Sequence, residues 1–195
     1  MRNLKHPMSN SLGARIDKHI DQGQWVKAER LIRRERRRNP NDHWLLTRLS
    51  SLFLAREQDH RALASSKKAL KLAPHCPLVL WDYASALDAM KRHQDAIDIW
   101  RQLPRRGANR IAFNACGEGI PWARSLLNDC LYRIGFSSGQ LGRTGLAIRY
   151  MKMHLQARDE KKVSSIYPRR FVVARLRDCQ KALKTGCPIP TSTGD

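Results

Sequence analysis

A fixed spacing of 34 residues constrains this chain more than any other feature. Ala28, Ala62 and Ala96 stand 34 apart, and so do Pro40 and Pro74. Self-similarity at such a period marks an array of small supersecondary units, none able to bury its apolar face alone. The matching segments are 9–42, 43–76 and 77–110. Ala147 lies 51 residues beyond Ala96, which is one period plus 17 residues. A fourth, degenerate unit is therefore expected over 128–161, with an insertion over 111–127 before it.

Each segment reads as two helices. In the second, Leu46, Leu49, Ser50 and Phe53 form one apolar stripe at helical spacing. A polar break at Arg56-Glu57-Gln58-Asp59 follows, then a second stripe of Ala62, Ser66, Ala69 and Leu70 that Pro74 terminates. The third repeats this with Leu80, Tyr83, Ala84 and Leu87, then Ala96, Ile97, Trp100 and Leu103. There Ala108 stands where the closing proline would be, and Pro104 is expected to end the helix early. The first segment keeps Gly23, Ala28, Ile32 and Pro40, but Arg15 and His19 occupy positions that are apolar elsewhere, which predicts a weak first helix. The fourth offers Leu131, Ile134, Gly135, Gly142, Ala147 and Met151. Small residues where two helices cross let the axes approach to about 8–10 Å.

Within the insertion, Gly117, Gly119 and Pro121 predict a tight loop, and one long helix is expected from about Pro121 to Phe136. Near the end, Pro168 can open a final helix whose apolar residues are Val172, Leu176, Cys179 and Leu183. Arg169, Arg170, Arg175, Arg177, Lys181 and Lys184 give it a basic outer face, so residues 162–185 read as a capping helix. Residues 1–8 form an N-terminal extension and 186–195 a flexible tail.

The second segment carries L-x2-L-S-x2-F, A-x3-S and a closing proline, and the third L-x2-Y-A-x2-L and A-x3-W. With the constant period, these patterns resemble the tetratricopeptide repeat, over three to four units and most of the chain. The resemblance implies an all-α, right-handed α-solenoid of three to four helix pairs with a C-terminal capping helix. It also implies a concave groove lined by first helices, and a non-enzymatic scaffold or adaptor that holds a peptide or partner helix there. The corresponding residues are Trp44, Thr47, Arg48 and Ser51, then Trp81, Asp82, Ser85 and Asp88, then Asp129, Tyr132 and Arg133. Aromatic and arginine side chains are the types enriched at binding hot spots, although Trp44 and Trp81 suit a core equally well. Some family members clamp a terminal carboxylate with lysine, asparagine and arginine. Here those places carry Gly13, Asp17, Arg48, Asp82 and Ser85, so that clamp is not expected.

The second strong feature is charge. Lys and Arg total 37 against 17 Asp and Glu, for a net +20. Arg33, Arg34, Arg36, Arg37 and Arg38 form a basic patch on the second helix of the first unit, with few acids nearby to pair with them. More cations follow at Arg101, Arg105, Arg106 and Arg110, and through the C-terminal quarter from Lys152 to Arg177, including Arg158, Lys161 and Lys162. The alternative function is thus contact with nucleic acid or an acidic protein. Phosphate contact of this kind would be salt-dependent and largely blind to sequence, and no aromatics interleave the arginine run as stacking platforms.

A third reading is thiol chemistry at Cys116-Gly117-Glu118-Gly119, where a helix N-terminus would favour a thiolate and Arg124, Asn128 and Asp129 would be polar partners. No histidine lies between His93 and His154 to act as base. The competing reading is a glycine-rich connector whose Cys116 and Trp122 pack inward. His75-Cys76-Pro77 reads as a surface turn, since zinc needs spaced ligand pairs and there is no second pair. The Gly135, Gly139, Gly142 and Gly145 series falls at a turn between helices. No phosphate-loop, dinucleotide or zinc-protease motif is present, so neither metal nor cofactor is expected. Five cysteines without a CxxC pair fit a reducing compartment. The opening residues lack an apolar signal region and no stretch approaches the ~20 apolar residues of a membrane helix, which predicts a cytoplasmic protein without membrane insertion.

Overall fold

Prolines, glycines and the apolar stripes divide the chain into helices joined by short turns. The computed structural model describes residues 9–161 and 163–189. The expected extension 1–8, Lys162, and residues 190–195 of the expected tail lie outside the described residues. Among the described residues there are nine α-helices: α1 Ser9–Asp21, α2 Trp25–Arg38, α3 His43–Ala55, α4 Asp59–Leu72, α5 Pro77–Ala89, α6 His93–Ala112, α7 Ile120–Gln140, α8 Thr144–Lys161 and α9 Arg169–Thr185. The chain forms two compact units that divide between Ala89 and Met90. None of the described helices is long and apolar enough to cross a membrane.

One turn geometry recurs along the chain. Gly23, Glu57, Lys91 and Gly142 adopt left-handed backbone angles, with φ of 65°, 55°, 61° and 71°. Their spacings of 34, 34 and 51 are those of the alanines. In three of these turns the next amide reaches back five residues along the helix end: Gln24 N–H to His19 O at 2.8 Å, Gln58 N–H to Phe53 O at 2.8 Å and Arg143 N–H to Ser138 O at 2.9 Å. This is the hydrogen bond of a Schellman stop, which satisfies carbonyls the helix leaves open. Glycine adopts it freely, whereas Glu57 and Lys91 bear a strain of roughly 1 kcal/mol each.

In the first unit, α1 packs on α2, α2 on α3, α3 on both α4 and α5, and α4 on α5. Ile16, Ala28, Ile32, Leu45, Leu49, Leu52, Phe53 and Ala62 make its core. The α3–α4 crossing is close enough for the Ser50 hydroxyl to donate to Ala62 O at 3.2 Å. Asp42 starts α3 by accepting from Trp44 N–H at 2.8 Å, a side-chain cap. The weakness expected in α1 at positions 15 and 19 is bypassed. Arg15 is exposed and His19 half-buried against Gln24, while Leu12, Ile16 and Ile20 carry the inward face.

In the second unit, α6 packs on α7, α7 on α8 and α8 on α9. A Cβ on Gly135 would lie 3.2 Å from Ala147 O, so α7 and α8 meet through small residues as α3 and α4 do. Trp100, Leu103, Ile134 and Met151 are fully buried around them. Pro104 does not end α6, contrary to expectation. Its fixed φ is compatible with a helix, and only one backbone donor is missing. The interruption falls at Gly107, with φ 76° and ψ 158°, and a last stretch reaches Ala112. The expected helix from Pro121 runs instead from Ile120 to Gln140. α9 also departs from expectation. Its buried residues are Val172, Arg175, Cys179 and Ala182, whereas Leu183 is exposed. Arg175 therefore faces inward, its guanidinium 5.0 Å over the Phe136 ring, rather than joining the basic outer face.

Candidate functional site

The strip across α1, α3 and α5 gathers several of the residues expected to line a groove. Two side-chain pairs cross it, each 31 residues apart. Arg48 Nη1 donates to Asp17 Oδ1 at 3.0 Å, and Ser51 Oγ donates to Asp82 Oδ1 at 3.4 Å. The Trp44 ring lies against α1 at Gly13, where an added Cβ would be 3.5 Å from Cζ2. Arg48 also stacks 5.5 Å from the centre of that ring. Trp44, Arg48, Ser51 and Asp82 are thus brought together, with Asp17 as the anchor that orients the arginine.

The electrostatics of the strip are set by burial. Asp82 is only 9% exposed. Burial pushes its carboxyl up to about 7, against the Arg48 charge and the Ser51 hydrogen bond. Arg48 Nε is shielded from solvent and has no hydrogen-bond partner among the described residues. The strip therefore offers a half-buried indole, a guanidinium with a donor to spare, and a carboxyl that changes protonation near neutrality. These groups can hold an extended backbone or a polar side chain.

The remaining groove candidates lie differently. Thr47 is 2% exposed and donates its hydroxyl to Trp44 O at 2.7 Å. Asp88 is buried as well, while Trp81 and Ser85 are half-buried. In the second unit the segment before α9 occupies the face that α7 was expected to offer. Asp129 is buried and accepts from Ser165 Oγ at 2.5 Å and from Ile166 N–H at 3.5 Å. Burial raises its carboxyl to about 6 despite those bonds. Tyr132 packs 4.2 Å from the Tyr167 ring and 5.7 Å from His154. Arg133 lies 4.9 Å over Trp100. Asp129, Tyr132 and Arg133 are therefore engaged inside their own unit: the chain leading into α9 supplies partners for Asp129 and Tyr132, and α6 supplies Trp100 for Arg133.

The basic patch is less free of acids than the sequence implies. Glu29 accepts from Arg33 Nε at 2.9 Å, Arg56 Nη1 at 3.0 Å and Arg61 Nη2 at 2.8 Å. Burial raises the Glu29 carboxyl, but Arg33 and Arg61 outweigh it and hold the group below its ordinary value. Glu35, 7% exposed, takes Arg34 and Arg38, each at 3.3 Å. The pairing of Glu29 with Arg33 could be read from their i, i+4 spacing. Its links to Arg56 and Arg61 depend on how α2 meets the neighbouring helices.

The cysteine motifs also change. Cys116 is half-buried and donates its amide to Asn114 Oδ1 at 3.1 Å. A Cβ on Gly117 would fall 2.3 Å from Ala112 O, so this loop folds tightly onto the end of α6. Of its proposed polar partners, Arg124 is exposed and Asn128 is buried, its carbonyl accepting from or facing His154 Nδ1 at 2.9 Å. Cys76 is not on the surface: it is 4% exposed. A hydrogen bond with Cys76 raises the His43 imidazole against the opposing effect of burial. Cys76 stands just before α5 and His43 opens α3, so their near-period spacing of 33 residues was the available sign of this pairing. Compared with known proteins, the chain matches no family model and has no significant match among curated proteins.

Proposed function

We propose that this protein is a tetratricopeptide-like scaffold, a right-handed solenoid capped by α9, that docks a peptide or partner helix on the α1–α3–α5 strip. One coincidence carries this reading. The left-handed turn residues 23, 57, 91 and 142 precede the fully buried alanines 28, 62, 96 and 147 by five residues every time. This recurrence supports reading each helix pair as one unit built to a common plan, with α1, α3 and α5 of the first unit carrying equivalent positions.

In this reading Trp44 supplies a flat apolar surface, and Arg48, held between Asp17 and Trp44, is already oriented for a partner carbonyl or carboxylate. Preorganisation of this kind lowers the entropic cost of binding. The protein acts by holding partners rather than by catalysis. The close fit of Gly117 on α6 supports a connector role for the Cys116 loop.

Affinity capture from the source cell tests the proposal. Arg48→Gln should lower recovery of the wild-type partner set by about tenfold or more, with circular dichroism melting followed in parallel to separate lost docking from lost stability. Recovery of the same proteins at undiminished yield would show that the strip is not the docking surface.

A further inference from the structure

The chain between α8 and α9 covers a face of its own unit. Residues 163–167 join no helix, and side chains of α7 and α8 hold them down. Asp129 accepts from Ser165 Oγ and from Ile166 N–H. Ser165 Oγ in turn accepts from Tyr167 N–H at 3.0 Å. Arg158 Nη1 donates to Tyr167 O at 2.6 Å, and the Tyr167 ring lies against that of Tyr132. Ser164 and Ser125 share a hydrogen bond at 2.6 Å. Each of these bonds has a side chain at one end or both, so the segment can lift without any helix unwinding. Ile166 is 70% exposed, so the strap lies at the surface. Asp129 is the weak point of the latch. It is buried, and both of its donors are neutral, a hydroxyl and an amide. A carboxylate shielded from water and held by neutral donors is costly once charged. Arg158, the cation that acts on it, gives Nη1 to Tyr167 O instead. Lifting the strap returns the carboxylate to water.

We infer that residues 163–168 are an autoinhibitory strap over the Asp129–Tyr132 face of α7, and that ionisation of Asp129 loosens it. Burial holds the Asp129 carboxyl at about 6 under the strap, against an ordinary 3.8. Closure is therefore fully favoured below about 3.8 and is lost as pH rises through about 6. Between about pH 4.5 and 7.5, the two values together raise the opening equilibrium roughly 25-fold. The surrounding groups do not reproduce this. Burial pushes Cys130 and Tyr132 of α7 and Tyr167 of the strap upward, so they stay neutral. Arg133 of α7, Arg158 of α8 and Arg175 of α9 supply fixed positive charge. Burial lowers the His154 imidazole of α8, so its protonation in acid favours opening, which is the opposite direction. That the uncovered face receives a partner rests on the scaffold reading above; the latch itself does not.

Amide hydrogen exchange of the full chain, resolved by residue with NMR, tests it. After correction for intrinsic exchange rates, protection of the Ile166 and Tyr167 amides should fall roughly 25-fold between about pH 4.5 and 7.5. The amides of Ile134 and Met151, in the core of the same unit, should keep theirs. Asp129→Asn cannot ionise and should give strap protection that is level across this range. Ser165→Ala, a change on the strap itself, should lower protection of both strap amides at every pH and leave the core amides unchanged. It decides the role of the latch if Asp129→Asn does not melt as the wild type does. Strap protection that is constant or rises with pH in the wild type would overturn the proposal, as would an equal slope in Asp129→Asn or unchanged strap protection in Ser165→Ala. Parallel loss at Ile134 and Met151 would also overturn it, because the whole unit would then be opening. Undiminished partner capture by Arg48→Gln would sink the docking strip and leave these exchange results standing.

Discussion

Replacing Gly117 by alanine probes the closest backbone approach at any described glycine. The new Cβ would lie 2.3 Å from Ala112 O, 2.4 Å from Ile111 O and 2.6 Å from Ala112 C. Ordinary contact begins near 3.4 Å, so the loop must separate from α6 by 3.4 − 2.3, or about 1 Å. These neighbours are backbone atoms and cannot rotate aside. Opening the gap also stretches the bonds that hold the loop, Gly117 N–H to Asn114 O at 2.8 Å and Gly119 N–H to Ala112 O at 3.4 Å. Overpacking typically costs about 1–3 kcal/mol, and a backbone clash with two bonds at stake belongs at the upper end, about 3 kcal/mol. For a chain of this length each kcal/mol shifts melting by roughly 2–4 °C, so a drop of about 6–12 °C is expected by differential scanning calorimetry. Gly145→Ala in α8 is the control. Nothing lies within 4 Å of its Cβ, and helix propensity should raise stability by about 0.5–1 kcal/mol. A Gly117→Ala protein that melts with or above wild type would refute the close packing of this loop and reopen a chemical role for Cys116.

Other outcomes follow from the same physical arguments. Asp82 has a folded pKa of about 7 against an ordinary 3.8, so its contribution to stability is full below about 3.8 and is lost as pH rises through about 7. Denaturant melts of Asp82→Asn between those values should therefore depend on pH less steeply than wild type, and parallel curves would contradict the burial of this carboxyl. Trp100 is fully buried, and Trp100→Ala should cost about 3–5 kcal/mol in urea unfolding; a loss under 1 kcal/mol would mean that the site collapses or is wet. Native thiol labelling should modify exposed Cys187 long before buried Cys76, Cys130 and Cys179, with burial also holding the Cys130 and Cys179 thiols protonated. Labelling of Cys130 at the rate of Cys187 would argue against this core. Glu57→Gly should stabilise the first unit by up to about 1 kcal/mol, because Glu57 holds φ 55°; destabilisation would show that its side chain matters more than its backbone strain.

Much of the fold is legible before any coordinates, because helices are local. A stripe such as Leu46, Leu49, Ser50 and Phe53 sets the inward face of α3 by periodicity alone, and all four are buried. Small residues at fixed places, Ser50 with Ala62 and Gly135 with Ala147, set where helix pairs can cross. Failures occur where two local signals compete. Pro104 is a weaker stop than Gly107, since proline already holds a helical φ and only glycine enters the left-handed region without strain. In α9 two helical stripes overlap, and the one through Arg175 packs inward because Phe136 offers a ring for its guanidinium.

The candidate sites are legible only in part. By itself, the sequence determined the period, the helix pairs and the residues on each first helix, because these depend on spacing along one chain segment. Tertiary structure decided which of those residues remain available, because that depends on contacts between segments. It tied Arg48 to Asp17, buried Thr47 and Asp88, and set Ser165 and Tyr167 against Asp129 and Tyr132. It also sorted the arginines. All carry the same charge in sequence, yet Arg33 and Arg61 share Glu29, Arg175 lies inside, and Arg36 keeps a shielded donor without a partner. Net charge is a sum over the chain, whereas the uses of charge are set by neighbours within a few ångströms, and helix packing alone chooses those neighbours.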